Sequence, residues 1–290
     1  MRLGLSGGML PLDAARVDEE LAADVARRGF RGIATQFGMG SDSTPADVDT
    51  ASCRRARDIF AAHGVRIVQS WSWRPNLVHP DADERRRQVE LLAGAMRVAA
   101  DQGAEMVVCG SGSRNPRGGF FPHRDNHTDE ARALLVESLA AAAEMAEDHG
   151  VTIALEPHVA TTLDTPARVR EVIDLVGSPR VRANLDPVNF VGDLRRLHRS
   201  ADLVDEVFDA LGDVAVSGHV KDVLAEDKLV VSLSETVIGD GEFDNAAYVR
   251  RFEERLPDAF LFIEHLPADQ VPRAQAALER LLTTLQIDPR

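Results

Sequence analysis

The sequence predicts a single-domain α/β protein built as a closed parallel (β/α)8 barrel, that is, a TIM barrel. The main observation is a repeat in which a helix-like stretch rich in Ala, Arg and Glu ends at a glycine and a short apolar run follows. A glycine just past a helix supplies the left-handed cap, and a short apolar run is typical of a buried strand. The length of 290 residues also suits one such barrel, because these domains take about 250 residues.

Eight strands alternate with helices along the chain, which indicates one sheet closed on itself. An open doubly wound sheet is the alternative, but the first strand-to-helix turn, at residues 6–11, lacks the glycine fingerprint of dinucleotide-binding proteins. The predicted strands lie near residues 2–8, 32–37, 66–73, 105–112, 152–158, 181–188, 214–221 and 260–266. The glycines that precede them are Gly29, Gly64, Gly103, Gly150, Gly177 and Gly212.

Local signals complete the outline of the domain. Thr44-Pro45 and Thr165-Pro166 each place a capping hydroxyl before a proline, which is typical of the first turn of a helix. One connection is long, at residues 223–244, and its apolar run at 230–233 makes it a candidate for a small hairpin over the barrel mouth. The sequence contains no evident linker, so residues 1–290 are expected to form one domain.

Charge and cysteine content narrow the function. The formal net charge of −14 at pH 7 argues against nucleic acid as a partner, since proteins that grip phosphate backbones are usually basic. The two cysteines, Cys53 and Cys109, fall in different predicted elements, so a disulfide framework is not expected and a reducing compartment fits. Neither a signal peptide nor a membrane span is evident, and we therefore expect a cytoplasmic protein without membrane contact.

Polar side chains at the ends of four consecutive predicted strands form the candidate site. Barrel enzymes carry their working residues at the carboxyl ends of their strands. Side chains alternate along a strand, and the apolar neighbours of these four suit the outer face, so the four are expected to point into the barrel mouth. They are Glu156, Asp186, His219 and Glu264.

Three carboxylates this close together would repel one another strongly in a partly dry site. A bound divalent cation would resolve the conflict. Three oxygen donors and one nitrogen donor favour Mn²⁺, Mg²⁺ or Co²⁺ and allow Zn²⁺; Mn²⁺ is the ion that we expect. The sequence therefore predicts an enzyme with a carboxylate-rich metal site.

Four short runs carry a resemblance to a known family. They are A-L-E-P-H at 154–158, N-L-D-P-V-N at 184–189, H-V-K-D at 219–222 and G-D-G-E at 239–242. These runs resemble the xylose-isomerase-like TIM barrels, a family of sugar-phosphate isomerases and epimerases, and the resemblance covers nearly the whole chain. It implies that the metal ligands are Glu156, Asp186, His219 and Glu264, and that Glu156 and Glu264 are also the acid–base pair.

Two departures separate the chain from relatives that epimerise free ketohexoses. Those relatives tend to carry a histidine three residues after the strand-six aspartate, where this chain has Asn189. They also carry a glutamate and an arginine soon after the strand-seven histidine, where this chain has Lys221 and Asp222. The resemblance therefore indicates the superfamily and leaves the sugar open.

The reaction that the resemblance implies is proton transfer beside the carbonyl of a ketose or keto-glycoside. One glutamate would remove a C–H proton to leave a metal-stabilised enediolate, and the other would return a proton, as in an epimerase or isomerase. Lys221 could stabilise the developing oxyanion or pair with a nearby carboxylate. Expulsion of a β-hydroxyl instead would make the enzyme a dehydratase or lyase that acts on a keto-inositol or 3-keto-glycoside.

Two further alternatives lie outside this chemistry. An endonuclease IV-like nuclease shares the barrel, but its cluster of metals needs additional histidines at other strand ends, and strands two and three end in T-Q-F and W-S-W. A non-catalytic subunit predicts a broken metal site, whereas all four candidate ligands are present. A partner subunit or a homo-oligomer stays open.

Substrate-binding candidates surround the predicted mouth. His158 ends strand five, Asn189 follows strand six, and Trp73 ends strand three, where its ring could pack against a sugar. The long loop after strand four carries His123 and suits a lid or specificity loop. No glycine-rich phosphate cradle follows strands seven and eight, which favours an unphosphorylated small-molecule sugar. His265 faces away from the neighbouring glutamate by alternation and is interpreted as structural.

Overall fold

The computed structural model of the chain describes residues 1–40, 43–264 and 267–290. The barrel strands are β1 (Arg2–Ser6), β2 (Gly32–Thr35), β3 (Arg66–Trp71), β4 (Met106–Cys109), β5 (Thr152–Leu155), β6 (Val181–Leu185), β7 (Ala215–Val220) and β10 (Phe260–Ile263). They close into a barrel in the order β1-β10-β7-β6-β5-β4-β3-β2, and neighbouring strands are parallel. The predicted (β/α)8 fold is therefore confirmed.

Helices connect the strands and cover the outside of the barrel. They are α1 (Glu19–Arg27), α2 (Thr50–Ala62), α3 (Ala82–Asp101), α4 (Asp129–His149), α5 (Pro166–Val176), α6 (Leu194–His198), α7 (Ser200–Leu211), α8 (Asn245–Arg255) and α9 (Val271–Leu285). The main hydrophobic core lies between these helices and the outer faces of the strands. In the ranges that the structure describes, none of the helices is both long and apolar enough to cross a bilayer.

Several helix ends follow directly from the local sequence. Gly150 and Gly177 take left-handed φ angles of 68° and 66° at the ends of α4 and α5, as capping glycines do. Thr165 caps α5, because its side chain accepts a hydrogen bond from the backbone N–H of Arg168. The glycine punctuation in the sequence therefore marks these helix ends correctly.

Two local signals lead to a different outcome. Thr44-Pro45 opens only a 3-10 turn at Pro45–Asp47, because Asp49 caps the next turn and starts α2 at Thr50. Gly212 keeps a right-handed helical φ of −60° at the end of α7. A Cβ atom at this position would lie 2.6 Å from the Phe208 carbonyl oxygen, so glycine serves close packing there.

The connection between β7 and α8 contains a two-stranded antiparallel hairpin of β8 (Asp222–Ala225) and β9 (Leu233–Thr236). The carboxylate of Asp222 accepts hydrogen bonds from the backbone N–H groups of Val223, Gly239 and Phe243. These bonds fasten the segment that returns from β9 to the base of β8. A Cβ atom at Gly241 would lie 2.2 Å from the same carboxylate, so the fastened segment needs glycine there.

The interior of the barrel is filled by aromatic side chains at its amino end. Phe260 and Phe262 stand on β10 with ring centroids 5.8 Å apart. Opposite them, Gly4 and Gly32 supply the space, since a Cβ atom at either glycine would come within 2.5 Å of a ring carbon. The two phenylalanine rings fill the amino end of the barrel, and the polar side chains lie toward its carboxyl end.

Candidate active site

The four predicted ligands converge at the carboxyl end of the barrel. Glu156, Asp186 and Glu264 are the first residues after β5, β6 and β10, and His219 lies near the end of β7. These four strands are neighbours in the barrel, so their ends form one continuous wall. One donor atom from each side chain lies within 4.8 Å of the others, and all four side chains are buried.

Two cationic side chains hold the carboxylates together. His219 Nδ1 lies 2.7 Å from Glu156 Oε1 and 3.1 Å from Glu264 Oε1. Lys221, just after β7, places Nζ 2.8 Å from Asp186 Oδ2 and 3.1 Å from Glu264 Oε2. Like charges this close repel strongly in a buried site, so the carboxylates require positive charge between them.

The carboxylates raise the pKa values of the two cationic side chains, His219 and Lys221. Burial alone would lower the pKa of His219, but Glu264 and Glu156 outweigh burial and raise that pKa to about 10. Burial likewise opposes the charge on Lys221, yet Asp186 and Glu264 hold its pKa well above the ordinary lysine value. Burial raises the pKa of Asp186 to about 6 although Lys221 opposes the shift. Three carboxylates that attract positive charge this strongly, together with one imidazole, form a donor set that fits a divalent metal ion.

A buried glutamine that the sequence analysis overlooked contacts the imidazole from behind. Gln69 lies in the middle of β3, and its Oε1 is 3.0 Å from His219 Nε2. Its Nε2 donates to Asn184 Oδ1 at 3.0 Å and to Ser217 Oγ at 2.9 Å. The sequence does contain a signal for Gln69, since it is an amide within the otherwise apolar run of strand three. A buried polar group requires hydrogen-bond partners, so such a residue points to a polar contact inside the barrel.

A cavity of about 320 Å³ opens beside this cluster. Four predicted site residues line it, namely Glu156, His158, Asn189 and Lys221. Four others complete its wall, namely Trp71, Arg74, Phe120 and Glu235. Phe120 comes from the loop after β4 and Glu235 from β9 of the hairpin, so two loops distant in sequence join the strand ends around the cavity.

Two predicted substrate-binding residues lie elsewhere. Trp73 packs against the hydrophobic core, and Trp71 takes the place beside the cavity. The reason is that β3 ends at Trp71, and the left-handed φ angles of Trp73 and Arg74, 57° and 52°, turn the chain away from strand alternation. His123 caps the short helix at 124–127 by accepting a hydrogen bond from Asp125 N. His265 lies outside the described residues.

The fold and this site together define a parallel (β/α)8 barrel with a buried carboxylate–imidazole cluster suited to a divalent ion. The family model described as xylose isomerase-like TIM barrel matches residues 22–283, and the chain belongs to this family. The family resemblance predicted from the sequence is therefore confirmed. No curated protein sequence matches the chain.

Solved structures share the fold across nearly the whole chain. A D-tagatose 3-epimerase-like protein has a TM-score of 0.72 at 16% identity, with 99% of this chain and 98% of that chain covered. The 3-keto-D-glucoside 4-epimerase YcjR from E. coli has a TM-score of 0.66 at 16% identity, with 98% and 99% covered. The IOLI protein with a bound zinc atom has a TM-score of 0.68 at 17% identity, with 98% of each chain covered. At identities this low, it is the TM-scores that establish the likeness, and what they establish is a shared fold.

Proposed function

We propose that the protein is a divalent-metal-dependent isomerase or epimerase of an unphosphorylated sugar, a ketose or keto-glycoside. The observation that carries this proposal is the buried cluster of Glu156, Asp186, His219 and Glu264 beside a cavity. Membership of the xylose isomerase-like family supports it. So do the names of two structural neighbours, a tagatose epimerase-like protein and a keto-glucoside epimerase.

Mn²⁺ is the ion that we propose, held by the four side chains of the cluster. Three carboxylates and one imidazole suit Mn²⁺, and Mg²⁺, Co²⁺ or Zn²⁺ could occupy the same donors. The zinc of the IOLI structure supports a divalent ion in a barrel of this shape. A bound divalent ion supplies Lewis acidity that makes a C–H beside the substrate carbonyl acidic.

Glu156 and Glu264 are the proposed acid–base pair. Glu156 lines the cavity, and its carboxylate would take the proton from the acidified C–H. Glu264, the first residue after β10, would have to be protonated at this stage, and it would give its proton to the same carbon from the other face and so invert it. Return to the adjacent carbon would give isomerisation. Exchange with solvent would then restore both side chains for the next cycle.

Lys221 is the proposed stabiliser of the charge that develops on the substrate oxygen. Its side chain is only 4% exposed, and it lines the cavity while its ammonium pairs with Asp186 and Glu264. A fixed cation in a site with little water stabilises a developing oxyanion far more than it would in bulk solvent. This position supports a catalytic role in addition to its ion pairs.

The cavity wall supports an uncharged, hydroxylated substrate. His158 and Asn189 offer polar groups, while Trp71 and Phe120 offer apolar ring surface to sugar C–H bonds. Arg74 is the cationic residue added by the β3–α3 loop, and the acidic Glu235 from the hairpin offsets its charge in the same wall. We propose that these residues bind the sugar hydroxyls and set the specificity.

Metal content tests the site. The purified parent is expected to hold about one Mn²⁺, Co²⁺ or Zn²⁺ per chain after reconstitution, and a Glu156→Gln, Glu264→Gln double variant is expected to lose it. A Glu147→Gln, Glu279→Gln variant alters two exposed glutamates and serves as the matched control. A parent that stays free of metal after reconstitution would contradict the proposal.

Proton exchange tests the reaction. The metal-loaded protein would be incubated in D₂O with a panel of ketoses and 3-keto-glycosides and followed by NMR. We expect deuterium at the carbon beside the carbonyl together with a new epimer or isomer. A product that has lost water would assign the protein to the dehydratases instead. Failure to exchange with any sugar of the panel would count against an isomerase.

A further inference from the structure

The imidazole of His219 is held by a chain of buried polar groups beneath the metal cluster. Gln69, Asn184 and Ser217 are fully buried, and they come from β3, β6 and β7. His219 Nε2 is 3.0 Å from Gln69 Oε1, on the opposite side of the ring from the carboxylates. The contact to Gln69 thus decides whether Nε2 of His219 donates or accepts a hydrogen bond.

The amide of Gln69 is oriented by its other two partners. Ser217 Oγ lies 2.6 Å from Asn184 Oδ1 and 3.3 Å from Met106 Sδ, and it donates its single proton to the nearer and stronger acceptor, Asn184 Oδ1. Both oxygens therefore accept from Gln69 Nε2, at 2.9 Å and 3.0 Å. With its NH₂ group committed to these acceptors, Gln69 presents its carbonyl oxygen to the imidazole. A carbonyl oxygen only accepts, so His219 must carry a proton on Nε2.

Aromatic packing fixes the ring plane but not which edge of the ring faces the carboxylates. Trp71 stacks on His219 with centroids 6.0 Å apart and planes 25° apart, and Phe262 meets the ring edge-on at 6.1 Å. A half-turn of the ring about its Cβ–Cγ bond would preserve this packing and exchange Nδ1 for a carbon. That turn would also break the bond to Gln69. The carboxylates of Glu156 and Glu264 on one edge of the ring and Gln69 on the other thus select this orientation together, and Gln69 is the partner on the Nε2 side.

We propose that Gln69 is a positioning residue of the metal site, which holds the proton of His219 on Nε2 and so directs the lone pair of Nδ1 at the ion. The inference rests on the proposed metal site. In this protein an uncharged side-chain amide inside the barrel would select the tautomer of the histidine. In other metal sites a carboxylate or a backbone carbonyl frequently has this role.

Co²⁺ affinity of three variants tests the role. Gln69→Leu removes the acceptor, and we expect Co²⁺ to bind roughly 10- to 100-fold more weakly, as is typical when such a partner is lost. Gln69→Glu keeps an acceptor for Nε2–H and is expected to retain tight binding. Gln102→Leu is the matched control, since Gln102 is a buried glutamine bonded to Thr35 and Ser70 rather than to the cluster. It should keep the Co²⁺ affinity of the parent.

The outcomes separate this inference from the proposed function. A parent that binds no Co²⁺ would remove the metal site and the role of Gln69 together. A parent that binds Co²⁺, with Gln69→Leu equally tight, would overturn the role of Gln69 alone. Should Gln69→Leu fail to fold, ¹⁵N NMR of the Zn²⁺-loaded parent still decides. We expect Nε2 of His219 to be protonated; a proton on Nδ1 would overturn the inference.

Discussion

Lys221 and Asp186 form a buried ion pair in which Nζ lies 2.8 Å from Oδ2, and neither side chain is more than 4% exposed. The same ammonium lies 3.1 Å from Glu264 Oε2. One lysine is therefore paired with two of the four proposed metal ligands. In the absence of an ion, this lysine and His219 are the cations that keep the carboxylates together.

The first prediction concerns the dependence of stability on metal. Lys221→Met should lower the unfolding free energy of the metal-free protein by about 3–5 kcal/mol, because two buried carboxylates lose their counter-ion. Mn²⁺ should then raise the melting temperature more in the variant than in the parent, since it replaces more missing charge. Calorimetry with and without Mn²⁺ measures both. Lys228→Met, at an exposed lysine paired with Glu226, is the control. Equal Mn²⁺ effects in Lys221→Met and parent would refute the explanation.

The second prediction concerns the hairpin. Asp222→Ala should leave three backbone N–H groups without their acceptor, at a cost of roughly 1–3 kcal/mol for each one that stays buried. Because those bonds fasten the segment after β9, the hairpin should become sensitive to limited proteolysis near residues 226–232. Asp227→Ala, at a neighbouring acidic residue of the hairpin, is the comparison. An unchanged cleavage pattern in Asp222→Ala would show that the hairpin is held by other contacts.

The third prediction concerns the packing inside the barrel. Gly4→Ala would place a Cβ atom 2.3 Å from Phe262 Cδ1, and overpacking of this kind costs about 1–3 kcal/mol. Phe262→Leu introduced with it should restore part of the loss, which denaturant unfolding of both single variants and the double variant would reveal as coupling. Gly192→Ala meets its nearest neighbour at an ordinary 3.5 Å and should change little. Strict additivity would rule out the steric explanation.

The fourth prediction concerns specificity. Glu235→Gln should lower kcat/KM for the sugar that the exchange screen identifies by about tenfold, the effect of one lost hydrogen bond to a charged group. The metal content should stay that of the parent, because Glu235 lies outside the ligand cluster. Ser234→Ala changes the adjacent residue, whose hydroxyl bonds to Glu226, and should be neutral. If both variants behave like the parent, Glu235 takes no part in binding.

The fold could be predicted because the barrel repeats one local pattern. The predicted strand starts agree with the observed ones within one residue, since the capping glycines and apolar runs that mark them are local signals. Strand ends were overestimated by one to three residues. At these ends the hydrogen bonds between strands stop, but the polar site residues that follow still alternate with apolar residues. The sequence therefore looks like a strand for a few residues beyond the real end. Trp73 was expected at the mouth for this reason, because the predicted strand ran two residues past the end of β3.

The carboxylate–imidazole cluster was predictable for a related reason, and the loop-borne part of the cavity wall was not. Glu156, Asp186 and Glu264 follow their strands at equivalent positions, so barrel geometry alone brings them together. Phe120 and Glu235 reach the cavity from a loop and a hairpin whose paths depend on tertiary contacts such as the bonds to Asp222. Nothing periodic in the sequence encodes those paths.

The division between strand-borne ligands and loop-borne cavity residues bears on how such a protein can diversify. The four proposed ligands lie on or directly after strands of the closed barrel, whereas Phe120 and Glu235 belong to a loop and a hairpin outside it. Insertions or exchanges in those two segments can reshape the cavity without moving a ligand. Evolution, or an engineer who grafts loops, could therefore change which small molecule fits the cavity while the four side chains of the cluster stay in place.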